Sequence, residues 1–185
     1  MSETTPKKPA AKKAKPARKR TSRAKAKTAP ADKAAAAAPP VEPAAPPEAS
    51  DALFRIDFEV RWRDLDAFNH VNNSTFLTYL EEARLRWLES LDGPWLTETS
   101  APVLASAELQ FRRPIPWPET LSVTLHAERA GNSSLTLGHR ISSATDPDAV
   151  YCEGRVVMVW VDAASGKGAS LPEAVRRAAE SRLGD

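Results

Sequence analysis

The chain has 185 residues, a formal net charge of +2 and a single cysteine, Cys152. One cysteine excludes an internal disulfide and a cysteine-based zinc site, and three scattered histidines without ligand spacing predict no metal site of another kind. No run of about 18 apolar residues is present, so the sequence predicts no membrane span. A secretory signal has an apolar core after its basic N-terminal region, and no such core follows the basic N-terminus here. We therefore expect a cytoplasmic location.

The charge is distributed unevenly along the chain. Residues 1–50 carry 12 Lys and Arg against 4 Asp and Glu, a net of +8, whereas residues 51–185 carry 14 against 20, a net of −6. The first segment is also rich in proline and contains no aromatic residue, so it cannot bury enough surface to offset a backbone ordering cost of about 1–2 kcal/mol per residue. We therefore predict a disordered basic tail and linker over 1–50 and one folded domain over 51–185.

Two interpretations of the tail remain open. Residues 1–28 form a cationic arm of the kind that contacts nucleic acid or another polyanion. The same composition is also typical of an extension that only keeps a protein soluble. Residues 29–50 form an Ala/Pro-rich spacer that connects the arm to the domain.

The first predicted element of the domain is a strand. From Phe54 to Arg63, apolar and polar residues alternate with a period of two, which predicts one buried face that extends to Trp62. A polar loop follows over 64–73. In this loop we expect Asp64 to pair with an arginine.

A helical period follows the loop. It predicts one amphipathic helix at about 74–91, with Asn72 or Asn73 placed to cap its N-terminus and Gly93 just beyond its end. The predicted buried stripe consists of Phe76, Leu80, Ala83, Trp87 and Leu91. Glu81 and Arg84 stand three residues apart and fit an ion pair on this helix.

The remainder of the chain returns to a period of two. It predicts four strands joined mostly by short connections, at about 103–111, 121–127, 135–141 and 149–162, and a short final helix at about 172–182. Short connections favour antiparallel pairing. The pattern therefore predicts an α+β domain in which an antiparallel five-stranded sheet packs against one long helix. Cys152 and His139 fall on apolar strand faces and are expected in the core, whereas His126 shares a polar face and is expected in solvent.

Four segments carry a resemblance to a known family: RWRDLD at 61–66, HVNN at 70–73, YLEEAR at 79–84 and FRRPI at 111–115. In these segments the chain resembles the 4-hydroxybenzoyl-CoA thioesterase family, in its broad branch of acyl-CoA thioester hydrolases. One position differs, since Asn69 stands where a glycine commonly precedes the histidine. Asparagine tolerates a left-handed backbone better than most residues, so we expect the turn to be preserved.

The resemblance implies the hotdog fold, in which the sheet wraps around the central helix and protomers pair through their sheets as a homodimer or homotetramer. It also implies an enzyme that hydrolyses acyl-CoA to a free carboxylic acid and coenzyme A. Asp66 is the implied catalytic carboxylate, as nucleophile or as general base, and the backbone N–H of Asn73 is the implied donor to the thioester oxygen. His70 either orients the carboxylate, bonds the substrate or serves the loop alone.

Other candidate residues follow from the same chemistry. A helix N-terminus favours negative charge, which suits the oxygen of a thioester under attack. The phosphates of coenzyme A require local cations and hydrogen-bond donors. The substrate-binding candidates are Asn72, Arg112, Arg113, Arg129, Ser133 and Ser134. Glu81 and Glu82 are alternative carboxylates on the helix, and no cofactor is implied.

Two other functions are compatible with the sequence. The same fold hydrolyses acyl groups carried on acyl carrier protein, and a preference for carrier-linked substrates would distinguish that enzyme. A non-catalytic hotdog scaffold whose basic tail binds nucleic acid or another polyanion is the alternative from a different class. Salt-sensitive DNA binding that is lost with residues 1–50, in a protein without turnover, would identify it.

Overall fold

The computed structural model describes residues 52–183, so the predictions for the tail lie outside the described residues. The elements are β1 (Phe54–Glu59), a 3₁₀ turn (Trp62–Asp64), α1 (Asn73–Glu89), β2 (Ser100–Phe111), β3 (Thr120–Ala130), β4 (Ser134–Ser143), β5 (Val150–Asp162) and α2 (Glu173–Glu180). In this part of the chain no helix is long and apolar enough to cross a membrane.

The strands form one five-stranded sheet in the order β1-β3-β4-β5-β2, with every neighbouring pair antiparallel. The register defines two ends of the sheet. At one end Phe111 of β2 pairs with Cys152 of β5, and at the other end Ser100 pairs with Asp162. The predicted fold class is confirmed, including the number of strands and the hotdog arrangement of sheet and helix.

Helix α1 lies against one face of the sheet. Its buried stripe includes Phe76, Leu80, Ala83 and Trp87, as the helical period predicts. Burial of each large apolar side chain contributes about 1.5–3 kcal/mol, so this face fixes the helix on the sheet. The N-terminus of α1 lies at the sheet end where β2 finishes, since Phe76 near the start of the helix packs against Phe111.

The first strand is shorter than predicted. β1 ends at Glu59, and the chain then enters the 3₁₀ turn, where Trp62 is 68% exposed instead of buried. The Trp62 ring packs edge-on against Trp117, with ring centroids 5.2 Å apart. The alternation of residue types therefore continues beyond the point where pairing with β3 ends.

Two of the three predictions for single residues in the strands are confirmed. Cys152 and His139 are buried in the core, and burial raises the pKa of the Cys152 thiol to about 11. Burial, followed by the charge of Arg84, lowers the pKa of His139 to about 4. The prediction for His126 is wrong, because this side chain is buried instead of solvated.

Candidate active site

A pocket of about 500 Å³ lies at the N-terminus of α1. It is lined by Asp66, Phe68, His70, Val71, Asn73, Phe76, Phe111, Arg112, Arg113 and Pro114. Two segments supply most of these residues: residues 64–73, here called the Asp66 loop, and residues 111–115, here called the arginine segment. A backbone bond of 3.1 Å from the N–H of Val71 to the oxygen of Ile115 joins them.

The Asp66 carboxylate is fixed by a tight turn of its own loop. Its Oδ1 accepts hydrogen bonds from the N–H of Phe68 at 2.8 Å and of His70 at 3.4 Å, and its own N–H donates to the His70 oxygen at 2.8 Å. The turn requires a left-handed residue, and Asn69 supplies it with φ of 62°, as predicted. Within residues 52–183, Oδ2 of Asp66 accepts no hydrogen bond.

The start of α1 leaves one donor unused. The side chain of Asn72 caps the helix by accepting the N–H of Ser74 at 2.9 Å, and the Asn72 oxygen accepts the N–H of Thr75 at 2.8 Å. The N–H of Asn73, the first helical residue, has no partner among the described residues. A helix N-terminus attracts negative charge through such unpaired N–H groups. The pocket thus contains a free carboxylate oxygen and a free N–H donor.

The arginine segment brings two cations to the same pocket, and both side chains are exposed. Arg112 is partly committed, since its Nε lies 3.2 Å from a Glu153 oxygen and its Nη2 donates to Gln110 at 2.7 Å. Arg113 has no ion-pair partner among the described residues. Its guanidinium is therefore available to an anion that enters from solvent.

The structure does not bring every candidate to this pocket. Arg129, Ser133 and Ser134 lie at the hairpin of β3 and β4, at the opposite end of the sheet. The predicted ion pair between Glu81 and Arg84 is absent from the described residues. Arg84 is buried and its Nη1 has no hydrogen-bond partner there. Neither Glu81 nor Glu82 lines the pocket.

Phe111 lines the pocket but was not predicted from the sequence as a site residue. The ring of Phe111 packs edge-on against Phe76, with centroids 5.0 Å apart, and gives the pocket an apolar floor. The signal was present in the sequence, because Phe111 ends the alternation of β2 directly before the two arginines. It identifies a pocket residue only once the end of β2 is known to lie beside α1.

Known proteins similar to this chain identify its family. Residues 60–179 match the family model of the thioesterase-like superfamily. A solved structure of a putative acyl-CoA thioesterase from Xanthomonas campestris is 45% identical and covers 63% of this chain and 98% of its own, with a TM-score of 0.57. A thioesterase from Thermus thermophilus, solved with coenzyme A and Zn, is 34% identical over 73% of this chain and 98% of its own, with a TM-score of 0.61. The long-chain acyl-CoA thioesterase FadM of Escherichia coli is 29% identical over 124 residues, which are 66% of this chain and 93% of FadM.

Proposed function

Because the chain belongs to the thioesterase-like superfamily and is a thioester hydrolase, we propose that it converts acyl-CoA to a free carboxylic acid and coenzyme A. One observation carries the proposal for this site. A carboxylate oxygen of Asp66 and the N–H of Asn73 both lack partners among the described residues, and both belong to one pocket. Thioester hydrolysis needs these two groups, one to supply or activate a nucleophile and one to stabilise negative oxygen.

The proposed reaction begins with the thioester carbonyl oxygen against the N–H of Asn73. Oδ2 of Asp66 then either attacks the carbonyl carbon or removes a proton from a water that attacks it. The carbon–sulfur bond breaks, and coenzyme A leaves as the thiolate and takes up a proton. In the nucleophilic route a water subsequently cleaves the acyl anhydride on Asp66, so both routes consume one water and release one carboxylic acid.

The remaining pocket residues have proposed supporting roles. The apolar floor of Phe76 and Phe111 receives the start of the acyl group, and Arg112 and Arg113 attract the phosphates of coenzyme A. The imidazole of His70 lines the pocket and is exposed, which suits a contact with the substrate. Arg129, Ser133 and Ser134 reach a pocket of this kind only if a second chain presents its hairpin there.

We also propose that the protein forms a homodimer or homotetramer through β2. This strand is an edge of the sheet, and most of its residues are exposed, including the apolar side chains of Val103 and Leu104. An open edge with apolar side chains pairs readily with another strand. Light scattering on the wild type and on a Leu104→Lys variant tests this proposal, since the charge should reduce the molar mass.

The activity is tested by release of free thiol from short, long and aromatic acyl-CoAs. We expect the wild type to prefer some of them and Asp66→Asn to lose about a thousandfold in kcat, in line with a missing catalytic base or nucleophile. Asparagine keeps the Oδ1 acceptor and hence the turn. The control is Asp92→Asn, an exposed aspartate beyond the far end of α1. If the wild type releases no thiol, or Asp66→Asn keeps half of its activity, the proposal is wrong.

A further inference from the structure

A second aspartate, Asp64, is the most densely bonded side chain near the pocket. It is 5% exposed, and its two oxygens accept four hydrogen bonds. Arg61 donates from Nε, Nη2 and its main-chain N–H, each at 3.0 Å, and the Tyr79 hydroxyl donates at 2.6 Å. Burial raises the pKa of Asp64, but the hydrogen bonds from Arg61 and Tyr79 outweigh it and hold the pKa below its usual value.

Asp64 connects three parts of the chain through its carboxylate and its main-chain oxygen. Tyr79 lies in the second turn of α1 and is itself buried, so its hydroxyl is a fixed point on the helix. The main-chain oxygen of Asp64 accepts the N–H of Asn72, the helix cap, at 2.8 Å. Asp66 follows two residues later. Asp64 is therefore linked to both groups of the pocket, to Asp66 through the main chain and to Asn73 through its hydrogen bond with the preceding residue, Asn72.

We propose that Asp64 and Tyr79 are positioning residues that set the distance between the Asp66 carboxylate and the Asn73 N–H. This inference rests on the proposed function of the pocket. A hydroxyl bonded to an ionised carboxylate is a strong and short contact, and Tyr79 stays protonated because burial and the charge of Asp64 raise its pKa. Reacting groups that shift by about 1 Å lose roughly a hundredfold in rate, so a loose loop lowers turnover even when the substrate still binds.

The chain offers a matched control. It has two tyrosines, both buried and both donating to a carboxylate: Tyr79 to Asp64, and Tyr151 to Glu119. Tyr79→Phe and Tyr151→Phe each remove one hydroxyl and leave the ring in place. Only the first hydroxyl is bonded to the Asp66 loop.

The test combines kinetics with hydrogen exchange on the full chain. For Tyr79→Phe we expect kcat to fall roughly 10- to 100-fold with KM within about threefold of wild type, because the substrate contacts are retained. Exchange of the amides in residues 64–73 should accelerate at least about tenfold, since the loop opens more often. Tyr151→Phe retains the main-chain oxygen that holds Arg112 and Arg113, so it should leave kcat within about twofold and loop exchange unchanged. Both variants should melt at similarly lowered temperatures.

Several outcomes overturn the inference. It is wrong if Tyr79→Phe keeps wild-type kcat and loop exchange, or if Tyr151→Phe loses as much kcat as Tyr79→Phe. Asp64→Asn provides a second test, because it keeps the side-chain shape, removes the negative charge and replaces one acceptor oxygen by an NH2 group that cannot accept a hydrogen bond. We expect a kcat loss at least as large. The failure of the proposed function is recognised separately, since an active Asp66→Asn contradicts the chemistry while the exchange data still report whether Tyr79 holds the loop.

Discussion

The two segments that line the pocket are held in place by different means. The Asp66 loop is fixed by the buried Asp64 carboxylate, which is bonded to the buried Tyr79 and to the exposed Arg61, and by main-chain bonds within the loop. The arginine segment is fixed through its main chain, since the N–H groups of its two arginines donate to the Tyr151 oxygen at 2.8 and 3.4 Å. Its guanidinium groups are left exposed.

This difference matches what each segment has to do in the proposed reaction. Bond breaking depends on distances of a few tenths of an ångström, and the loop with the carboxylate has the buried hydrogen bonds that such accuracy requires. Attraction of a phosphate depends on charge over several ångströms, for which exposed arginines suffice. The two segments should therefore respond differently to mutation, the first in kcat and the second in KM.

The largest effect expected from a test of this difference comes from a substitution at the start of α1. Asn73→Pro removes the N–H proposed to bind the thioester oxygen, and proline is well tolerated at the first helical position. The preceding residue, Asn72, already has φ of −60° and ψ of 137°, the conformation that a following proline prefers. We expect kcat to fall about 10²- to 10³-fold, as for other oxyanion donors, with little change in the melting temperature.

The control for that variant is Asn73→Ala, which keeps the N–H and removes only the side chain. Its kcat should stay within about threefold of wild type, because the proposed contact is made by the main chain. If thiol release shows that the proline and alanine variants both keep wild-type activity, the proposed role of this N–H is refuted. If both variants lose activity equally, the effect belongs to the side chain and not to the N–H.

The second prediction tests the arginine segment, where a substitution should change KM and not kcat. Arg113→Ala should raise KM for acyl-CoA about tenfold and leave kcat nearly unchanged. A hydrogen bond to a charged group contributes about 1.5–3 kcal/mol, and screening keeps an exposed phosphate contact near the lower end of that range. The KM difference between wild type and variant should shrink at high salt. Arg129→Ala, at the opposite end of the sheet, is the matched comparison.

The outcome of that comparison also bears on assembly. If Arg129→Ala leaves KM unchanged, the phosphates contact the arginine segment of the same chain alone. If it raises KM as strongly as Arg113→Ala, a hairpin from a second chain contributes to the pocket. A fall in kcat without a change in KM for Arg113→Ala would contradict the division between the two segments.

The residues that sequence could predict are those whose role depends on near neighbours. The left-handed turn at Asn69 and the cap at Asn72 follow from residue type and position, and both are confirmed. The five strands and the central helix follow from periodicity. The burial of Trp62 was predicted wrongly because periodicity does not reveal where a strand loses its partner.

The remaining features depend on contacts between distant segments. The bond from Tyr79 to Asp64 spans 15 residues, and sequence alone predicted an arginine partner for Asp64 but not the tyrosine. The floor of the pocket joins Phe76 to Phe111 across 35 residues. These pairs can be identified only when the sheet order and the helix position are known. The contacts that hold the Asp66 loop are therefore visible in the structure and not in the sequence.

The smallest expected effect tests whether the helix cap serves the fold or the chemistry. Asn72→Ala removes the acceptor for the Ser74 N–H and should lower the free energy of unfolding by about 1 kcal/mol, a typical cap contribution. Asn72→Ser retains a capping oxygen and should recover most of that loss in a denaturant titration. If the division between the two segments holds, kcat should change less in both variants than in Tyr79→Phe, because the main-chain bond from Asn72 to Asp64 remains. A kcat loss in Asn72→Ala that serine does not restore would instead make the Asn72 side chain a substrate contact.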